Sequence, residues 1–166
     1  MERLWAPWRL EYVTHAANGD ASECVFCAAL SLDSPSLFLL FRGTRAFAIL
    51  NKYPYNNGHV MVVPVRHVGC MADATPDELH ELIALTRVAE MALTEAYHAQ
   101  GINVGMNLGR PAGAGVLGHL HVHVVPRWDG DTNFMSVVGN TRVVPEEPDV
   151  SVRRLKPIFA RLVAES

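Results

Sequence analysis

Residues 119–127 read His-Leu-His-Val-His-Val-Val-Pro-Arg, so His119, His121 and His123 alternate with apolar residues. Strict alternation over a short run specifies a half-buried β-strand. Successive strand side chains point to opposite faces, which puts the three imidazoles on one face and turns Leu120, Val122 and Val124 toward a core. Imidazoles about 6–7 Å apart along a strand are costly to bury without partners, so the row reads as a site. Neutral imidazole is a metal ligand. It can also serve phosphate chemistry as nucleophile or as donor to phosphate oxygens. The loop before the strand, Asn107-Leu-Gly-Arg-Pro-Ala-Gly-Ala-Gly-Val-Leu-Gly118, holds four glycines in twelve residues. Such a loop lets backbone N–H groups approach an anion closely, which favours phosphate. A metal-dependent oxygenase would need an acidic ligand, and none stands in or beside the row.

A second constellation is Cys24-Val-Phe-Cys27, two thiols at finger-like spacing. The chain has no second CxxC, so a metal here would need histidines from elsewhere. The alternative is two cysteines packed as small hydrophobes. Cys70 has no visible partner in the sequence and reads as an ordinary packed thiol.

The elements that must position these residues are legible in the pattern. Asp20 to Leu30 reads as a short helix. Leu37–Arg42 and Ala46–Leu50 form a hairpin about Gly43 and Thr44, and His59–Val65 is a third strand entered through Asn56-Asn57-Gly58. Thr75-Pro-Asp-Glu78 starts a helix with an N-cap, a first-turn proline and a capping-box glutamate. The apolar spacing from Leu79 to Ala96 carries it to about Gln100, with a stop at Gly101. Ile102–Leu108 is the fourth strand and His119–Pro126 the fifth. Residues 129–150 are loop-rich, and Val152–Ala164 forms a final helix interrupted or started at Pro157. The order specifies an α+β fold, with about five strands in a mainly antiparallel sheet, one long helix and a C-terminal helix.

The 166 residues, 49% of them apolar, suit one globular domain: an N-terminal arm over 1–20, a core over 21–128 and an extension over 129–166. The arm carries Trp5, Trp8 and Tyr12 about Pro7, an aromatic segment that must pack on its own domain or on a partner. A net charge of −3 gives no general pull toward nucleic acid or a membrane. No export signal and no apolar span of about 18 residues is visible. With an odd count of three cysteines, these features point to reduced thiols in the cytoplasm.

His-Leu-His-Val-His-Val-Val resembles the signature of the histidine triad family of nucleotide hydrolases and transferases. Asn51-Lys-Tyr-Pro-Tyr-Asn-Asn-Gly-His59, continuing through Pro64 to His67, is similar to that family's upstream strand pair. Met1 to Val13, Pro126 to Ser136 and Asn140 to Pro145 resemble a bacterial subgroup whose members include diadenosine tetraphosphate phosphorylases. The resemblance implies a covalent nucleotidyl-His121 intermediate, with His123 donating to the leaving group and His119 and His59 completing the catalytic set. It implies phosphate contacts from Asn107, Gly109 and Gly115, and ribose contacts from Asn51. Leu50 and Phe26 are candidates to sandwich the base, and Arg127 and Trp128 to meet longer polyphosphate or a second base. A structural zinc would take Cys24, Cys27, His67 and His119; no organic cofactor is implied.

Members of this family are usually homodimers whose sheets join edge to edge, so the resemblance implies a homodimer or a higher homo-oligomer. The implied reaction is phosphorolysis of diadenosine tetraphosphate, with inorganic phosphate as acceptor, to ATP and ADP. Hydrolysis of dinucleoside polyphosphates, nucleoside phosphoramidates or adenylated conjugates would use the same intermediate with water. A nucleotide-binding or sensing module is the reading from another class. Many members carry Gly-Gln-Ser or Gly-Gln-Thr just before the triad. This chain has Gly115-Val116-Leu117, which lacks those donors; the change would either enlarge the space beside the phosphorus, which suits phosphate as acceptor, or weaken hydrolysis.

Overall fold

The structure, a computed structural model, describes residues 24–31, 36–131 and 146–165. The aromatic N-terminal arm and the tail motifs over 132–145 lie outside the described residues. Five strands form one sheet: β1 (Leu39–Arg42), β2 (Ala46–Leu50), β3 (Val60–Pro64), β4 (Gly101–Met106) and β5 (Val122–Arg127). Their order is β1-β2-β3-β5-β4, and every neighbouring pair is antiparallel. The helices are α1 (Val25–Ala29), α2 (Pro76–Tyr97) and α3 (Pro148–Ala164). None of them is long and apolar enough to cross a membrane.

Alternation divides the sheet into two faces. Ala46, Ala48 and Leu50 of β2, Val60 and Val62 of β3, and Leu120, Val122 and Val124 turn toward α2 and α3. Leu82, Leu85, Val88, Ala89, Ala92 and Leu93 of α2 meet them, together with Leu155, Phe159 and Leu162 of α3. Phe47, Ile49 and Val63 point the other way and pack under Phe26 and Ala29 of α1. The histidine row stands on this second face.

Several boundaries differ from the sequence expectation; the first strand starts at Leu39, and the third spans Val60–Pro64. The long helix ends at Tyr97, capped by His98 in the left-handed conformation (φ 50°, ψ 42°), three residues before the expected stop at Gly101. The last helix begins with Pro148 at its first position, and Pro157 lies inside it on an exposed face. There the missing N–H leaves a carbonyl facing water rather than core. The fourth strand starts one residue early, at Gly101, and ends at Met106. The fifth begins at Val122, because β3 ends at Pro64 and the ladder between them ends at the Val62–Val122 pair. His119–His121 lead in as extended chain, tied by the Leu120 N–H to the Val68 carbonyl at 2.6 Å.

The start of α2 is as expected. The Glu78 N–H donates to Thr75 Oγ1 at 3.3 Å, and the Thr75 N–H donates to Glu78 Oε2 at 2.8 Å. Arg66, next to His67, donates to both Glu78 oxygens at 2.8 and 2.7 Å. These bonds hold the Glu78 carboxyl down at about 2, with the Arg66 hydrogen bonds as the largest cause. A depressed carboxylate pKa contributes stability that is complete above the unfolded value and is lost as pH falls through the folded one. Wild-type melting temperature should therefore drop between about pH 5 and pH 2. Glu78→Gln should flatten part of that slope, and Thr75→Ala should cost about 1 kcal/mol at neutral pH. Thermal melts across pH check both, and an unchanged slope in Glu78→Gln would remove Glu78 as its source.

Candidate functional site: a row of oriented imidazoles

The site lies where the lead-in to β5 and its first residues cross β3 beneath α1. The rings of His121 and His123 are 4.8 Å apart in edge-on geometry. Phe26 of α1 packs 5.5 Å from the His119 ring and 5.1 Å from the His121 ring. His59, just before β3, adds a fourth ring 5.1 Å from His123.

Backbone groups orient these rings. A carbonyl can only accept, so each ring nitrogen facing one carries the proton. His121 Nδ1–H donates to the His119 carbonyl at 2.9 Å, which leaves the lone pair on Nε2. His119 Nε2–H donates to the Pro64 carbonyl at 2.8 Å, which leaves its lone pair on Nδ1. An amide N–H imposes the reverse. The Tyr55 N–H donates to His59 Nδ1 at 3.1 Å, so that nitrogen accepts and the proton sits on Nε2. His59 Nε2–H then donates to His123 Nδ1 at 3.0 Å, and the His123 proton is on its own Nε2. Asn51 reinforces the arrangement: its Oδ1 accepts from the Tyr53 N–H at 2.9 Å, so its Nδ2 faces His59 Nδ1 at 3.2 Å. Burial pushes the His119 and His121 imidazoles below their usual pKa, which favours the neutral forms this network requires.

The lone pair on His119 Nδ1 faces sulfur. Cys24 Sγ is 3.3 Å away and Cys27 Sγ 3.7 Å, while His67 Nδ1 lies 3.3 Å from Cys27 Sγ. All four ligand atoms fall within 4.8 Å of one another. Tetrahedral zinc, with Zn–S of about 2.3 Å and Zn–N of about 2.0–2.1 Å, separates sulfur from nitrogen by roughly 3.5 Å. The residues fit that ion, and the Pro64 carbonyl supplies the outer-shell acceptor that ligating imidazoles use. Gly118 presses on this cluster: a Cβ there would come within 3.1 Å of His67 Nε2.

Other expected residues are placed differently. Asn107 and Gly109 open the glycine loop as foreseen, but Asn107 Nδ2 donates to the Gly113 carbonyl at 3.4 Å, so it braces the loop from within. Gly109, at φ 83°, starts a 3-10 turn over Arg110–Ala112, and Gly115 is half-buried. Val116 packs against the Phe26 cluster. Leu50 and Phe26 cannot sandwich one base, because alternation sends Leu50 to the helix-covered face while Phe26 lies on the histidine face. Phe26 is also only 2% exposed. Asn51 has both amide atoms engaged in orienting the loop and His59. Arg127 stands at the far end of β5, bonded to Asp131 at 2.6 and 2.7 Å and to Asn103 at 3.0 Å. Trp128 donates to the Tyr97 carbonyl at 3.2 Å. The structure brings neither of these two to the histidines. Sequence reasoning passed over the Tyr55 N–H and the Pro64 carbonyl, since backbone groups carry no residue-type signal.

A family model for the HIT domain matches residues 35–130. The chain belongs to the HIT domain family. An AP-4-A phosphorylase of Mycobacterium tuberculosis is 41% identical to this HIT protein over 152 residues, covering 88% of this chain and 78% of that one. An asymmetrical bis(5'-nucleosyl)-tetraphosphatase of Schizosaccharomyces pombe is 34% identical over 72% of this chain and 75% of its own. Among solved structures, a Zn-bound histidine triad family protein from Mycobacterium smegmatis superposes with a TM-score of 0.71 at 28% identity. It covers 89% of this chain and all of that one.

Cobalt added to the purified, metal-stripped HIT protein should give the thiolate charge-transfer and visible bands of a tetrahedral site, at about one ion per chain. Cys24→Ser should weaken the bands and lower the melting temperature. Absence of bands in the parent protein would reduce the cluster to packed thiols.

Proposed function

We propose that this HIT protein is a nucleotidyltransferase that cleaves dinucleoside polyphosphates at an α-phosphate, through a covalent nucleotidyl-His121. The observation that carries this reading is the His121 Nδ1–H bond to the His119 carbonyl, which leaves a neutral Nε2 lone pair beside a proton on His123. His121 Nε2 attacks the α-phosphorus, and a new N–P bond forms as the P–O bond to the leaving nucleotide breaks. The bridging oxygen keeps the electron pair and accepts a hydrogen bond from His123 Nε2–H. Backbone amides of the loop at Gly109 and Gly115 face the phosphates. An oxygen of inorganic phosphate then attacks phosphorus, the N–P bond breaks, and His121 is restored.

With diadenosine tetraphosphate the products are ATP in the first step and ADP in the second. The tuberculosis relative's name supports phosphate as acceptor. The fission-yeast relative's name favours a second reading, with water as acceptor and ATP plus AMP as products.

Three further assignments belong to this proposal. A structural zinc on Cys24, Cys27, His67 and His119 would anchor the lead-in to β5 that carries His121; the neighbour solved with zinc supports it. The edge strand β4, with Val104 53% exposed, would pair with its copy in a homodimer. No disulfide joins the cysteines among the described residues, which would suit a reducing compartment such as the cytoplasm.

Purified protein with diadenosine tetraphosphate, with and without inorganic phosphate and resolved by chromatography, tests the reaction. ATP plus ADP that requires phosphate is the expected outcome. ATP plus AMP without phosphate would assign water as acceptor, and absence of products in both would overturn the proposal. His121→Asn should lose on the order of a thousandfold or more in turnover while still binding the substrate.

A further inference from the structure

We infer that the loop over 52–56 is a stacking subsite for the nucleoside of the leaving nucleotide, an inference that rests on the reaction proposed above. Tyr55 stands beside the proton donor: its ring centroid is 4.7 Å from His59 and 5.5 Å from His123, tilted by 37° and 35°. The ring is 38% exposed. Two residues earlier Tyr53 is 62% exposed, with Lys52 Nζ 5.7 Å from its ring centroid. Neither tyrosine belongs to either core cluster.

The loop that carries them is held by its backbone and by asparagines. The Tyr53 N–H is bonded to Asn51 and the Tyr55 N–H to His59. Asn56 Nδ2 donates to the Pro126 carbonyl at 3.2 Å and to Asp131 at 2.9 Å. Pro54 restricts the chain between the two rings. The result is a pair of partly exposed rings on a hydrogen-bonded loop, with Tyr55 next to the histidine that meets the departing oxygen. Aromatic faces on an ordered surface are what a nucleobase stacks upon, and the Lys52 ammonium beside the Tyr53 ring suits polyphosphate. The other aromatic near the row, Phe26, is too buried to serve. The attacked half of the substrate therefore meets His121 and the glycine loop, and the departing half runs past His123 toward Tyr55 and Tyr53.

The backbone N–H bonds to Asn51 and His59 survive any substitution except proline; the Tyr55 ring also packs on His59 and His123, a loss that would weaken both ligands and that adenosine 5′-tetraphosphate therefore controls for. Calorimetry on the inert His121→Asn protein would compare diadenosine tetraphosphate with adenosine 5′-tetraphosphate, which has no second nucleoside. The dinucleotide should bind about tenfold tighter, a gain within the range of one base stack. Adding Tyr53→Ala and Tyr55→Ala should abolish that preference and leave adenosine 5′-tetraphosphate within about twofold. Tyr→Phe at both positions should restore it.

A preference that survives the double variant, or an equal loss for both ligands, would overturn the subsite. If the double variant does not fold, Tyr53→Ala alone makes the same comparison at the more exposed ring. Binding of neither ligand to the parent would overturn both the subsite and the proposed function. A ring-dependent preference in a wild-type protein that turns over no dinucleotide would sustain the subsite and overturn the reaction.

Discussion

A neutral imidazole has one N–H and one lone pair, so whatever occupies one nitrogen decides what the other can do. This constraint organises the site. The His119 carbonyl makes Nε2 of His121 the basic nitrogen, and the Pro64 carbonyl makes Nδ1 of His119 the basic nitrogen. The Tyr55 N–H, passed on through His59, leaves the proton of His123 on Nε2. Adjacent rings along residues 119–123 thus acquire different characters: in the proposed enzyme, a ligand, a nucleophile and a donor. Burial pushes His119 and His121 toward neutrality, which keeps the differentiation intact.

The fold supplies what this requires. β3 and β5 must lie side by side, so that Pro64 and His59 reach the row from one neighbouring strand. The alternate residues of β5 must be fixed in a core, and α2 and α3 provide it. Among the described residues, no long helix packs on the other face. The short α1 covers it with Phe26, and the same turn carries Cys24 and Cys27 to His119 and His67. In the proposed enzyme, a metal at that cluster would secure α1 to the residue whose own carbonyl orients His121. The ligand and the orienting group belong to one residue, so displacement of the His119 backbone would be felt at His121 Nε2.

Much of this was legible in the sequence. Period-two alternation at His119–Val124 and the capping box at Thr75–Glu78 are local signals, and both stand in the structure. The Cys24, Cys27, His67 and His119 set came from family resemblance, and the structure brings the four together. The differences between expectation and structure have a common origin in features that residue type does not report. His98 adopts a left-handed conformation that composition assigns to glycine. Leu50 and Phe26 are both apolar, but which sheet face each takes follows from the register of β2 and the path of α1. Arg127 suited phosphate by type, yet Asp131, four residues on, takes its guanidinium in an ion pair. The orienting contacts from Pro64, Tyr55 and the His119 carbonyl come from the backbone and have no signature at all.

The central claim is the distribution of protons among the four rings. Long-range proton–nitrogen correlation NMR of the ¹⁵N-histidine-labelled protein at neutral pH reads it directly. The account predicts a neutral His121 protonated on Nδ1, and neutral His59, His119 and His123 protonated on Nε2. A His121 that carries its proton on Nε2, or a His123 that carries its proton on Nδ1, would contradict it.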